Sequence, residues 1–264
     1  MDEPPFWLDE YAWIRDFLGI EESEDRRALG ILQAHFAHKP CLLPELRKRF
    51  SGRVAIVIGA SESVLADLER LHDLSHLWEG KAFLVAADTA TPLLLSRSMV
   101  PDIVVTDLDG PVEALVEASR AGSYLFVHGH GDNIGSLREV LPLLGERVEP
   151  TTQVPVPQGH VHNFGGFTDG DRSAFVSVAL GARAVVFIGM CLRCGVSLLS
   201  AVGKAADGNW TERKRKKLVV AERMLGRLAG WRREVPLIDA GSMPSGVEGL
   251  LVEDLEEVLR RMLR

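Results

Sequence analysis

Two aspartates spaced two apart, Asp107 and Asp109 in the run PDIVVTDLDG, carry the sharpest chemical signal in this sequence. A turn ending at Gly110 can direct both carboxylates toward one ion. Mg²⁺ takes hard oxygen ligands, commonly one or two carboxylates, with water and substrate phosphates filling the other positions. An Asx-turn capping the next helix explains one such aspartate but explains two less well. Asp88 ends the run AFLVAAD and Asp132 follows SYLFVHGHG, so both belong beside the pair as further candidate metal ligands.

Other groups of residues point to ligands of different kinds. The turn HGHGDN (128–133) sets His128, His130, Asp132 and Asn133 close together, and imidazole with carboxylate at short spacing suits Zn²⁺. It is similar to the histidine-rich turn of metallo-β-lactamase-like hydrolases, but Asn133 stands where that motif continues with histidine. On this alternative, a metal-dependent hydrolase would add the histidines of HVH (160–162). A packed His128, with the glycines allowing close backbone approach to a ligand, is the plainer reading. In GGFTDGDRS (165–173), Gly165, Gly166, Phe167 and Thr168 lead to Asp169, Asp171 and Arg172. Here the aspartates either complete the acidic site or bind a polar heterocycle, and Arg172 pairs with phosphate through its planar fork. Helix capping by Asp171 with Arg172 exposed is the alternative. Gly59, Ala60 and Ser61 open the first strand-to-helix turn, where free N–H groups can hold an anion. That loop matches neither the Walker pattern nor G-x-G-x-x-G. Lys214 and Lys217 lie in a strongly basic helix over 211–233 and can balance a triphosphate near the metal. Cys191 and Cys194 have C-x-x-C spacing without a second pair and are expected as buried free thiols, with a redox pair, lacking thioredoxin-like context, as the alternative.

The elements that must position these residues read as an α/β fold. VAIVIG, AFLVAAD, DIVVTD, SYLFVHG, AVVFIGM and VPLIDAG are apolar throughout, as strands covered on both faces are. Helical stretches alternate with them, which predicts a doubly wound, mostly parallel, Rossmann-like sheet. Ligands in such sheets bind beyond the carboxyl ends of the strands, where the candidate residues fall. Residues 1–50 are expected as an N-terminal helical cap with a second helix over 24–38, and residues 51–264 as the main domain with its C-terminal basic helix. Residues 154–172 have neither periodicity, so a long functional loop is expected there.

Composition limits the remaining choices. With 264 residues, 46% hydrophobic and 25% charged, the chain has the make-up of an ordinary folded protein. A net charge of −7 argues against nucleic acid as a partner. Its apolar runs fall far short of the roughly 20 residues that a membrane span needs, so no membrane partner is expected. The acidic start and three scattered cysteines suggest a reducing cytoplasm. Nothing in the sequence decides whether the chain forms a homo-oligomer.

The order GAS, AAD, PDIVVTDLDG, HGHGDN, GFTDGDR and IGM over residues 50–230 resembles the archaeal 6-hydroxymethyl-7,8-dihydropterin diphosphokinase family, and more distantly thiamine diphosphokinases. The resemblance implies an ATP- and Mg²⁺-dependent diphosphotransferase. It would act on the reduced pterin alcohol, release AMP and serve folate- or methanopterin-type cofactor synthesis. It further implies that Asp107 and Asp109 are the metal-binding motif with Asp88 and Asp132 nearby, that residues 165–172 touch substrate or nucleotide, and that ATP and the pterin are the small-molecule partners. His130 or Asp132 would accept the proton. Thr89 and Cys191 depart from the family pattern, which has glycine and aspartate there. Because the wider group includes motility-accessory, glycan-modifying proteins, a non-catalytic nucleotide- or glycan-binding role is a further alternative.

Overall fold

The computed structural model describes residues 3–155, 159–199 and 208–264. Residues 156–158 of the expected loop, and 200–207 of the connection before the basic helix, lie outside the described residues. All six apolar runs form strands: β1 (Val54–Ile58), β2 (Ala82–Ala87), β3 (Ile103–Thr106), β4 (Tyr124–Gly129), β6 (Ala184–Ile188) and β7 (Leu237–Asp239). Two more join them, β5 (Val148–Thr152) and β8 (Leu251–Val252). The sheet runs β5-β4-β3-β2-β1-β6-β7-β8, and every ladder in it is parallel.

Strand residues are buried on both sides because each face carries a helical layer. Along β1, Val54, Ile56 and Ile58 enter one core while Ala55 and Val57 enter the other. The first core is closed by α2 (Glu22–Phe36), α4 (Val64–Asp73), α5 (Ser75–Trp78), α6 (Thr91–Leu95), α7 (Val112–Ala121), α8 (Ile134–Val140) and α11 (Leu255–Met262). The second is closed by α1 (Trp7–Leu18), α3 (Leu43–Phe50), α9 (Asp169–Ala179) and α10 (Gly208–Trp231). Trp7, Phe50, Phe83, Phe126, Phe175 and Phe187 are fully buried in this second core, each contributing on the order of 2–3 kcal/mol by burial. The strand β5 has the sequence VEPTT, which hides it from an apolar-run search. At the sheet edge Pro150 is tolerated, since an edge strand need not use every N–H.

The first 50 residues form three helices divided between the two layers, with α2 in one and α1 and α3 in the other. One buried carboxylate ties them to the sheet. Asp25, 1% exposed, accepts hydrogen bonds from Tyr11 Oη at 2.8 Å, Gln153 Nε2 at 2.6 Å and the Gly131 N–H at 2.8 Å. It thereby joins α1, α2, the turn after β4 and the segment after β5. Replacing it strands three donors in a dry site. Asp25→Ala should lower stability by about 2–4 kcal/mol in denaturant unfolding; a change within about 0.5 kcal/mol would show that this hub is not what secures the N-terminal helices.

Candidate active site

The chain reverses direction at β1, which has β2 on one side and β6 on the other. It builds outward to β5, returns by way of α9, and enters β6. Such a switch point leaves a crevice beyond the strand ends. A cleft opens there, lined by Gly59–Glu62 after β1, Asp88 and Thr89 after β2, Asp107 and Asp109 after β3, Phe167–Gly170 before and in α9, Gly189–Leu192 after β6, and Lys214, Lys217 and Leu218 of α10. Gly59 is required by closeness, since a Cβ there would lie 2.4 Å from the Gly189 oxygen.

Three carboxylates meet in this cleft. Oxygens of Asp88, Asp107 and Asp109 lie within 4.8 Å of one another. Leu108, between the last two, adopts φ 64°, a left-handed conformation that costs a residue with a Cβ about 1–2 kcal/mol. It is held by burial and by its N–H, which donates to Thr106 Oγ1 at 2.8 Å. Thr106 Oγ1 in turn donates to Asp88 Oδ2 at 2.6 Å. Gly110 closes the turn, and a Cβ there would stand 2.0 Å from Asp88 Oδ1. Among the described residues, Asp88 Oδ1 and Asp107 Oδ1 are buried without a hydrogen-bond partner. Buried, unpartnered anionic oxygens on converging strand ends fit a hard divalent cation such as Mg²⁺, and these three residues are the ones that would hold it.

The charges are unequal. Burial and then the neighbouring charge of Asp107 push the Asp88 carboxyl up to about 7. Burial also pushes Asp107 upward, but the hydrogen bond from His130 and the charge of Lys217 hold it well below the usual carboxylate range. Asp169 is raised by burial and by Asp107 and Asp88. His130 Nδ1 accepts from the Asp132 N–H at 3.2 Å, which puts the ring proton on Nε2, facing Asp107 Oδ2 at 3.2 Å. The imidazole therefore donates to Asp107, and in this arrangement its Nε2 has no lone pair with which to accept a proton.

Several expected site residues hold the scaffold. Asp132 does not join the carboxylate group: its side chain is 54% exposed and pairs with Arg213 at 2.7 Å, beside an adjoining recess. Asn133 donates to the carbonyls of Asp107 and His128, and accepts from the His130 N–H, so it staples the turn. His128 is buried against Thr151, and burial holds its imidazole well below its ordinary value. Asp171 accepts from the Phe167 and Thr168 N–H groups and from Thr168 Oγ1, as in the capping alternative. Arg172, expected to be exposed on that alternative, is buried: it donates to the Phe167 carbonyl and lies 3.3 Å from Asp169 Oδ1. Gly165 and Gly166, both at positive φ, shape this same loop. The N–H groups of Gly59 and Ser61 donate to the carbonyls of Ile188 and Gly189, so these two amides are occupied rather than offered to an anion.

Cys191 and Cys194 are a correction: they form a disulfide, their Cα atoms 5.4 Å apart in the turn after β6, and are not free thiols. Cysteine usage thus ceases to argue for a reducing compartment. Among the described residues no helix is long and apolar enough to cross a membrane. The histidines needed for a hydrolase metal site do not converge, since His160 is exposed and His162 sits against Glu149. Sequence reading missed Thr106, whose hydroxyl is hidden in a β-branched run. It also missed Asp67, buried on α4, which accepts from Gly189 N–H and Ser242 N–H at 2.9 and 2.8 Å and fixes the turn after β6. A carboxylate on the apolar face of VLADLERL was the available signal for the latter.

Residues 34–194 match the family model described as 6-hydroxymethylpterin diphosphokinase MptE-like. A 6-hydroxymethyl-7,8-dihydropterin pyrophosphokinase of Methanothermobacter thermautotrophicus is 40% identical over 188 residues, covering 71% of this chain and 78% of that protein. Its namesake from Methanocaldococcus jannaschii is 33% identical over 189 residues, covering 70% and 78%, and that from Pyrococcus furiosus 37% over 187 residues, covering 69% and 75%. Among solved structures, the MAf glycosyltransferase of Magnetospirillum magneticum AMB-1 aligns with TM-score 0.52 at 16% identity, over 82% of this chain and 38% of that one. That likeness is one of fold.

The raised Asp88 carboxyl makes a pH test possible. Its value in the folded protein lies above its ordinary 3.8, so it adds stability at low pH that is lost as pH rises through about 7. Asp169 shifts in the same direction. The depressed Asp107 loses its contribution only as pH falls through its lowered value, well below this window. Mg²⁺ should therefore raise the melting temperature more at pH 8 than at pH 6, and Asp88→Asn should flatten that difference. An equal rise at both pH values would separate cation binding from these carboxylates.

Proposed function

This chain belongs to the MptE-like family of 6-hydroxymethylpterin diphosphokinases, and we propose that it transfers diphosphate from ATP to 6-hydroxymethyl-7,8-dihydropterin in an Mg²⁺-dependent reaction. It is an enzyme, a diphosphotransferase. The observation that most directly supports the finer reading is the meeting of opposite charges in the cleft. Asp88, Asp107 and Asp109 converge there, and Lys214 and Lys217 of α10 line the same cleft. A cation held by acids with lysines nearby is what a polyphosphate needs.

The balance of the reaction is simple. The hydroxymethyl oxygen bonds to the β-phosphorus of ATP, the bond from that phosphorus to the oxygen bridging the α-phosphate breaks, and AMP leaves with that oxygen. One proton passes to water. Bound Mg²⁺ supplies charge neutralisation on the phosphate oxygens and makes the phosphorus a better electrophile. The protein orients the reactants. Lys214 and Lys217 draw the phosphates toward the carboxylates, His130 keeps Asp107 ionised and aimed, and Phe167, Met190 and Leu192 offer an apolar wall for a planar ring. Asp169, half-buried and raised in pKa, presents a polar group at that wall. We assign it to the edge of the pterin. Thr89 also lines this cleft, so its departure from the family pattern bears on substrate fit. The product would feed synthesis of a pterin cofactor of the folate or methanopterin type.

Incubation with ATP, Mg²⁺ and the reduced pterin alcohol should yield AMP in step with pterin diphosphate. ADP in place of AMP, or no nucleotide turnover with intact substrate, would overturn the reading. Asp107→Asn and Asp109→Asn should each lower kcat on the order of 10³-fold with the fold retained; near-normal turnover in both would remove them from the metal site. Lys217→Ala should raise the KM for ATP about tenfold, measured by steady-state kinetics at saturating pterin.

A further inference from the structure

A second group of metal-binding side chains lies away from the cleft. Cys41 is in the connection between α2 and α3, Glu149 is the second residue of β5, and His162 lies in the connection between β5 and α9. His162 is carried to β5 by a short parallel bridge with Thr151: its N–H donates to the Pro150 carbonyl at 3.0 Å and its own carbonyl accepts from Thr152 N–H at 2.9 Å. Three distant segments thus bring a thiol, a carboxylate and an imidazole to one point, with donor atoms all within 4.8 Å of one another.

The distances suit a shared ion. Cys41 Sγ lies 3.6 Å from His162 Nε2, and His162 Nε2 lies 3.5 Å from Glu149 Oε2. The second separation is long for an N–H···O bond, and a neutral ring nitrogen carries at most one hydrogen to aim at two neighbours. In a tetrahedral zinc site the bonds of about 2.3 Å to sulfur and about 2.0–2.2 Å to nitrogen and oxygen put neighbouring ligand atoms about 3.3–3.6 Å apart. The ligands are also held in place beforehand. Glu149 is 1% exposed, with its other oxygen accepting from the Leu42 N–H. The His162 ring stacks on Phe164 with centroids 5.5 Å apart.

We infer that Cys41, Glu149 and His162 form a zinc site that fastens the N-terminal helices to the β5 edge of the sheet. The sulfur–nitrogen–oxygen donor set favours zinc over magnesium, which separates this site chemically from the all-oxygen carboxylate group in the cleft. A fourth position is left for water. Because the residue next to Cys41, Leu42, is itself bonded to Glu149, the ion would lock the entry to α3 against the sheet edge. Binding would then add to fold stability rather than to chemistry.

The full-length protein, loaded with Zn²⁺ and dialysed against metal-free buffer, should retain about one equivalent. Co²⁺ in its place should give thiolate-to-cobalt charge-transfer absorption in the near ultraviolet. Cys41→Ser should lose both the retained zinc and that band, while Asp107→Asn and the Cys191→Ser/Cys194→Ser double variant keep them. Chelation should lower the melting temperature of the unmodified protein and leave that of Cys41→Ser unchanged. Failure of the unmodified protein to hold Zn²⁺ or to show the cobalt–thiolate band would overturn the proposal, and so would a band that survives Cys41→Ser.

Discussion

Three carboxylates of like charge converging in one crevice set the terms for the rest of this structure. Left alone, Asp88, Asp107 and Asp109 would repel one another and turn outward. They are held by contacts that leave little choice. Thr106 bonds Asp88, Gly110 packs against it, and buried Leu108 stays left-handed so that its two neighbours remain in one cluster. The result is asymmetric, with Asp88 inclined to keep a proton and Asp107 to stay ionised. A preorganised site with unpartnered oxygens gains most from a cation, because the unfavourable charge arrangement is already imposed by folding.

That imposition reaches well beyond the three residues. Asn133 ties the Asp107 carbonyl to the His128 carbonyl, and His130 is oriented by a backbone N–H within the same turn. Asp25 grips Gly131 of that turn and links it to α1 and to the segment leaving β5. The HGHGDN sequence thus serves as a rigid bracket for Asp107. The N-terminal helices complete the bracket and close both layers of the sheet. Asp67 fixes the turn after β6, and Asp171 fixes the loop that leads into α9 at Asp169. Buried acids therefore do two kinds of work here. Those whose oxygens are met by N–H groups shape the walls, and those with unmet oxygens face the cleft.

Much of the fold was legible because its cause is local. Six strands are apolar throughout since both faces are covered, and that pattern needs no knowledge of what covers them. The strand VEPTT escaped because an edge position relaxes the rule that made the others visible. The disulfide between Cys191 and Cys194 escaped because C-x-x-C spacing allows a bridge without requiring one.

The sequence by itself determined the doubly wound sheet, the placing of acids at strand ends, the family resemblance, and the spacing that sets Asp107 and Asp109 on one turn. It could not rank their neighbours. Asp88 and Asp132 both follow an apolar strand next to β3, and in sequence they look equally suited to one ion. Tertiary structure separates them. Thr106 and Gly110 draw Asp88 inward, whereas the turn stapled by Asn133 presents Asp132 to Arg213 of α10. Which carboxylate meets the pair depends on contacts made by residues from other strands and helices, and these exist only once the chain has folded.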